Sequence, residues 1–223
     1  MTFSLIARCP TTRQFGMVIA SSSPAVAARC VHLRAGVGAV ASQNITDPGL
    51  GPALLDLLAE GISAQSALAL IANAQPHIAY RQLLVIDITG QTALHSGAQI
   101  LGVWGQASGT DCASGGNLLA NADVPTAMIA AFTASTGAFG TRLIAALTAG
   151  LYAGGEAGPV HSAGLKIVDT LDWPLVDLRV DWSDTPIADL DAIWQIYLPQ
   201  MGEYVQRAID PSTAPKYGVP GDV

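Results

Sequence analysis

Charge is scarce in this sequence. Asp, Glu, Lys and Arg together make up 12% of the 223 residues, whereas half the chain is hydrophobic, so apolar side chains suffice for a sizeable core. What charge there is sums to −7; with no basic stripe along the chain, binding to a nucleic-acid backbone is excluded. Long apolar runs are missing too: none approaches the length of a membrane span. No basic segment leads into an apolar one, so a signal peptide is not expected, and the chain reads as cytoplasmic with no membrane partner. Cysteine is sparse. Cys9, Cys30 and Cys112 are odd in number and widely spaced, which suits buried free thiols in a reducing compartment. His32 stands two residues from Cys30, but no second pair has zinc spacing, so no metal is implied. The glycine-rich "ASGTDCASGGN" lacks the Lys-Ser/Thr ending of a phosphate loop. No serine sits in G-x-S-x-G. No cofactor follows from any of these segments.

What is present is alternation, beginning almost at once. Phe3, Leu5 and Ala7 alternate with Thr2, Ser4 and Arg8, although Ile6 falls on the second face; residues 15–20 repeat the pattern after the turn-like "CPTTRQ". The expectation is a hairpin whose first strand starts at the terminus. Residues 35–43 read as a small apolar strand. Residues 51–61 and 63–74 form a helix pair, with Ser63 as N-cap of the second. Residues 81–97 form a hairpin around Thr89-Gly90, and a strand lies near Cys112. Residues 124–135 and 139–155 form a second helix pair, and residues 161–169 and 174–182 two further strands. A last helix, residues 186–209, is broken at Leu198 by Pro199. Strands in adjacent pairs and helices in short-joined pairs predict an α+β fold in which two antiparallel sheets pack face to face with helices outside, an αββα sandwich. One domain is expected over residues 1–209. Residues 210–223 form a Pro/Gly-rich tail, expected to be ordered, with Tyr217 and Val219 anchoring it on another surface. The many alanines and low charge suit a homo-oligomer.

The segments "MTFSLIAR…FGMVIASSS", "RAGVGAVASQ…DPGLGPALLDLLAEG", "ALHSG…WG…GGNLLA", "DLRVD" and "RAIDPSTAPKYGVPGD", taken in order and nearly end to end, resemble the DUF1028 family. That family is grouped with the N-terminal nucleophile (Ntn) hydrolases. The resemblance implies the αββα sandwich and an amide-bond hydrolase, without a substrate. One stretch departs from it. Many members carry an Asp and an Arg/Gln-rich segment before the "SA" strand; this chain has "GGEAGPVHSAG", with Glu156 in place of the acid and His161 near the glutamine's position.

Thr2 is chemically interesting apart from any family. A threonine hydroxyl needs a base to become a nucleophile. If Met1 is removed, the α-amine of Thr2 is that base, with a pKa near ~8. With Met1 attached that nitrogen is an amide, and Thr2 is the first residue of a strand and nothing more. Around Thr2 the expected rim gathers the Ser21–Ser23 turn, Gln43 and Asn44 after the third strand, and the loop that ends in Asn117. Asn117 is the expected oxyanion or substrate donor. Ser21, Ser22, Gln43, Asn44, Asp47 and His95 are expected substrate contacts. Arg8, Arg29 and Arg34 are expected to point elsewhere, so the rim has little cationic character. It suits a neutral or amine-bearing small molecule, amino-acid-like or ureido, cleaved at a C–N bond other than a peptide bond. Two functions from different classes remain: a hydrolase using Thr2, and a non-catalytic protein that binds a small metabolite or serves as an assembly scaffold.

Overall fold

In a computed structural model, which describes residues 1–219, the terminus is pinned as its alternation requires. Strand β1 (Thr2–Arg8) pairs antiparallel with β2 (Phe15–Ser21), Phe3 opposite Ala20. A four-residue turn of helix, α1 (Ala27–Cys30), leads into β3 (Val31–Arg34) and β4 (Gly38–Asn44). Helices α2 (Leu50–Ala59) and α3 (Ala64–Ala74) follow. The Ser63 side chain accepts from the Ser66 amide, the expected cap. Four strands come next: β5 (Arg81–Asp87), β6 (Thr92–Ser96), β7 (Gly105–Gly109) and β8 (Cys112–Asn117). Then come helices α4 (Val124–Ala134) and α5 (Phe139–Tyr152), strands β9 (Ser162–Val168) and β10 (Val176–Val180), and helices α6 (Pro186–Tyr197) and α7 (Met201–Ile209). The last two flank Pro199, which lacks the amide a continuous helix needs.

Among the described residues all ten strands pair antiparallel, in a six-stranded sheet ordered β10-β9-β2-β1-β8-β7 and a four-stranded sheet ordered β3-β4-β5-β6. The period of two on β1 sends its residues into two different cores. Phe3, Leu5 and Ala7 join a cluster with Leu143, Leu147 and Trp194 from α5 and α6. Ile6, on the other face, packs with Met17, Ile19, Ala41, Leu84 and Ile86, a cluster drawn from both sheets. A third cluster joins Val40, Leu83 and Val85 to Leu54, Leu58 and Leu68 of α2 and α3.

The segments not foreseen are those whose pairing rather than composition makes them strands. Strand β3 is only four residues, all half-buried, so the alternation of Val31 and Leu33 with His32 and Arg34 is too short to stand out, and β7 is the sequence GQASG with no strand signal; each is held by its register with β4 or β8. Helix α1 is too short to show a period. Cys30 and Cys112 are buried free thiols as expected, but Cys9 is only half-buried, because it lies past the end of β1 in the turn. The tail runs back along α7. Arg207 donates to the Pro215 carbonyl (2.8 Å) and lies 3.9 Å over the Tyr217 ring, so Tyr217 is held by its own chain, while Val219 remains 56% exposed. Pro220, counted in that tail, lies outside the described residues.

The layer between the sheets leaves no slack at Gly115. A Cβ there would stand 2.8 Å from Leu84 Cδ2. Gly115→Ala is therefore expected to cost about 1–3 kcal/mol by overpacking, and Leu84→Ala about 2–5 kcal/mol by leaving a cavity. The double variant should lose clearly less than the sum, since each change makes room for the other. Urea unfolding of the two singles and the double measures the coupling.

Candidate functional site at the start of the first strand

Antiparallel pairing brings the starts of β1 and β9 and the ends of β2 and β8 to one rim. Thr2 lies opposite Asn117, and Ser21 opposite Ser162. On the other sheet, the same pairing puts Gln43 opposite Gln82 and Gln82 opposite Ser96. Thr2 shares its strand face with Ser4 and Ile6, so it stands at the edge of the layer between the sheets, 5% exposed.

Behind Thr2 the two sheets are tied by a buried polar chain. Ser4 Oγ donates to Gln43 Oε1 (2.7 Å), and Gln43 Nε2 donates to Gln82 Oε1 (2.8 Å). Asn117 Nδ2 donates to the same Gln82 oxygen (3.2 Å). Gln82 Nε2 in turn donates to Ser96 Oγ (3.1 Å) and the Gly116 carbonyl (3.2 Å). Buried amides of this kind hold their geometry only when satisfied. One atom is not: Asn117 Oδ1 is buried with no hydrogen-bond partner. Asn117 thus spends an N–H on Gln82, and what it leaves at the rim is an acceptor.

In front of that chain lie hydroxyls and charge. The Met1 carbonyl accepts from Ser21 Oγ (2.6 Å) and from Thr2 Oγ1. Ser21 Oγ also bonds Ser23 Oγ (2.7 Å), and Ser162 Oγ fixes the turn by donating to the Ser23 carbonyl (2.6 Å). Contrary to expectation, this turn holds a cation: Arg29 Nη2 donates to Ser23 Oγ (2.8 Å). Arg29 reaches back because α1 folds the chain immediately after the turn. Arg8 and Arg34 do lie elsewhere, paired with Asp111 and Asp56. Glu156 supplies the anion. It is 5% exposed, is bridged to Leu119 just beyond Asn117, and accepts the Ser22 amide on both oxygens at 3.1 Å. Burial pushes its carboxyl up to about 7, against the opposing pull of the Ser22 hydrogen bonds, the chain's terminal amine and His161. His161 donates its backbone amide to the Ser21 carbonyl (2.8 Å) and stacks on Trp182 at 4.4 Å.

Of the residues singled out in the sequence, Thr2, Ser21, Ser22, Gln43 and Asn117 are brought together. Three are not. Asn44, with φ of 74°, turns away to donate to the Tyr80 carbonyl (2.6 Å). Asp47 caps its own turn, accepting the Gly49 amide (3.0 Å). His95 lies opposite Leu83, on the helix-facing side of its sheet, and bonds the Ile78 carbonyl (3.1 Å). Gln82, Ser4, Ser96 and Arg29 were missed. Gln82 had a signal, as the one amide inside an otherwise apolar strand; Ser4 shares its strand face with Thr2. Among the described residues no cluster of three metal-ligating side chains occurs, and no helix is long and apolar enough to cross a membrane.

Glu156 makes the fold's stability depend on pH. Its carboxyl lies near 4.5 when unfolded and near 7 when folded, so the native state binds the extra proton between those values. Stability is therefore expected to fall as pH rises from about 4.5 to about 7, and to level off above. Glu156→Gln removes that dependence and should gain on wild type by on the order of 1–3 kcal/mol at pH 8 relative to pH 5. Thermal melts of both proteins at the two pH values test it.

Comparison with known proteins agrees with this architecture at one level and is silent at another. No curated protein matches the chain. The crystal structure of protein SPO2555 from Silicibacter pomeroyi, assigned to DUF1028, is 29% identical over 92% of this chain and 90% of its own, with a TM-score of 0.86. Anbu, the ancestral beta-subunit from Yersinia bercovieri, is 10% identical over 91% of this chain and 97% of its own, with a TM-score of 0.40, a likeness too low to bear on the fold. Residues 2–190 match a family of unknown function, DUF1028, and the chain belongs to that family.

Proposed function

We propose that the chain is an amidohydrolase of the N-terminal nucleophile type, acting on a small amino-acid-like or ureido amide once Met1 has been removed. In this reading residues 1–209 form one domain with the four-layer αββα arrangement of such hydrolases. What supports the layering is that α4–α6 pack on the six-stranded sheet, α2 and α3 on the four-stranded sheet, and a mixed cluster lies between. The observation that carries the chemistry is what gathers at the start of β1: Asn117 opposite Thr2, Ser21 on the Met1 carbonyl, and the Glu156 carboxyl on the neighbouring Ser22 amide. Removal of Met1 would free the Thr2 amine to take the proton from its own hydroxyl, the two groups being held on one residue. Thr2 Oγ1 then attacks the substrate carbonyl, the proton passes to the leaving amine, and water hydrolyses the resulting ester. Glu156 and Arg29, of opposite sign at the same rim, would take the amine and the acid of an amino-acid-like substrate. The unpaired Asn117 Oδ1 would accept a substrate N–H. The free thiols and the exposed Tyr152, Trp182 and Ile196 accord with a cytoplasmic homo-oligomer.

The bonds that Ser21 and Thr2 make to the Met1 carbonyl favour a second reading, in which Met1 is retained and the protein binds a small metabolite without cleaving it. Intact mass of protein from its native host separates the two. Protein that starts at Thr2 should release amine from a panel of small amides, with a rate that rises with pH through about 8. Thr2→Ala should lower that rate by roughly a thousandfold or more. Native protein that retains Met1, or release that is unchanged in Thr2→Ala, would overturn the hydrolase reading in favour of binding.

A further inference from the structure

At the other end of β1 a cavity of about 220 Å³ is lined by Arg8, Pro10, Thr110, Asp111, Phe132 and Arg142 among others. Its charges do not balance. Arg8 and Asp111 are paired at 2.9 Å, which leaves the Arg142 guanidinium. Arg142 stands in the first turns of α5 and reaches back to the end of α4, where Nη2 donates to the Phe132 carbonyl (3.2 Å) and Cζ lies 4.2 Å over the Phe132 ring. Its Nε is buried with no partner. Among the described residues no carboxylate lies within ion-pair distance of it.

A guanidinium carries five N–H donors in a fixed fork and a full charge. The Phe132 carbonyl, at a helix C-terminus, offsets about half a charge. The buried Nε is out of a ligand's reach, so it is through the η nitrogens, on the side that lines the cavity, that the unbalanced charge calls for an anion. The fork favours a planar two-oxygen partner. The surrounding wall adds Pro10, the Phe132 ring being covered by the guanidinium itself, and the single unbalanced charge matches a monoanion rather than a dianion. We propose that this cavity is a binding site for a small organic carboxylate, held by Arg142 with its apolar end against Pro10. It lies at the opposite strand ends from Thr2, so it is independent of the proposed hydrolase chemistry.

Isothermal titration of the full chain with propionate and, separately, with inorganic phosphate tests it. Propionate should bind saturably, and Arg142→Gln should weaken it about tenfold or more, the loss expected for a charged hydrogen-bonded partner. Because Arg142 also braces α4, Arg142→Gln is paired with Thr133→Phe, which leaves the arginine in place and narrows the mouth of the cavity from an exposed position. That variant should weaken propionate as well while melting like wild type. Propionate binding that survives both changes, or an absence of saturable binding to wild type, overturns the site. Tighter binding of phosphate than of propionate overturns the carboxylate assignment.

Discussion

Gln82 is the residue on which the arrangement of the two sheets most depends. Its side chain lies in the layer between them, wholly buried, and bonds Gln43 of its own sheet, Asn117 and Gly116 of the other, and Ser96 beside it. Apolar packing between sheets is non-directional and would tolerate a slip. A buried amide is not tolerant, because any slip strands a donor or acceptor in a dry layer. This amide therefore fixes which residues of β4 and β8 meet at the rim, and through Asn117 it fixes the residue opposite Thr2. Glycine at 115 clears the room that this close approach requires, for a Cβ there would stand 2.8 Å from Leu84 Cδ2 and 3.6 Å from the Gln82 side chain.

The rim this creates is electrically mixed. An acid whose charge is disfavoured by burial and an arginine that braces a serine turn lie on either side of the same strand ends. The order of the chain explains why they meet: β2 ends in the serine turn, α1 reverses the chain so that Arg29 faces it, and β9 returns alongside β2 with Glu156 just before it. Neither charge is near Thr2 in sequence. A carboxyl poised near neutrality at a rim of hydroxyls is a common feature of sites that handle protons or amines.

Much of the fold was legible because the chain's periods are clean. The β1–β2 and β5–β6 hairpins, both helix pairs and the break at Pro199 follow from apolar spacing and from the missing proline amide. The edge strands β3 and β7 were not legible. GQASG has no strand preference of its own, and becomes a strand only because β8 offers it a ladder along nearly its whole length. For the site, Thr2, Ser21 and Gln43 could be found because they end or begin readable strands. Asn44 and His95 misled for the same reason that strands are readable: successive residues face opposite sides, and a shift of one residue moved each of them off the rim.

By itself, then, the sequence determined where most of the strands and helices lie, that the terminus is the start of a strand, and that Thr2 and Ser4 share a face. These depend on local spacing and on backbone chemistry, which a linear reading contains. Only the tertiary structure decided that Gln82 would bind the sheets together, that Arg29 would reach the serine turn, and that Glu156 would be buried beside it with its carboxyl pushed up to about 7. The first and last come from contacts between residues tens of positions apart, the second from the reversal of the chain at α1, and all depend on the removal of water. Burial and partner together set what an ionisable group does, and neither is written in the residue's own neighbourhood in the chain.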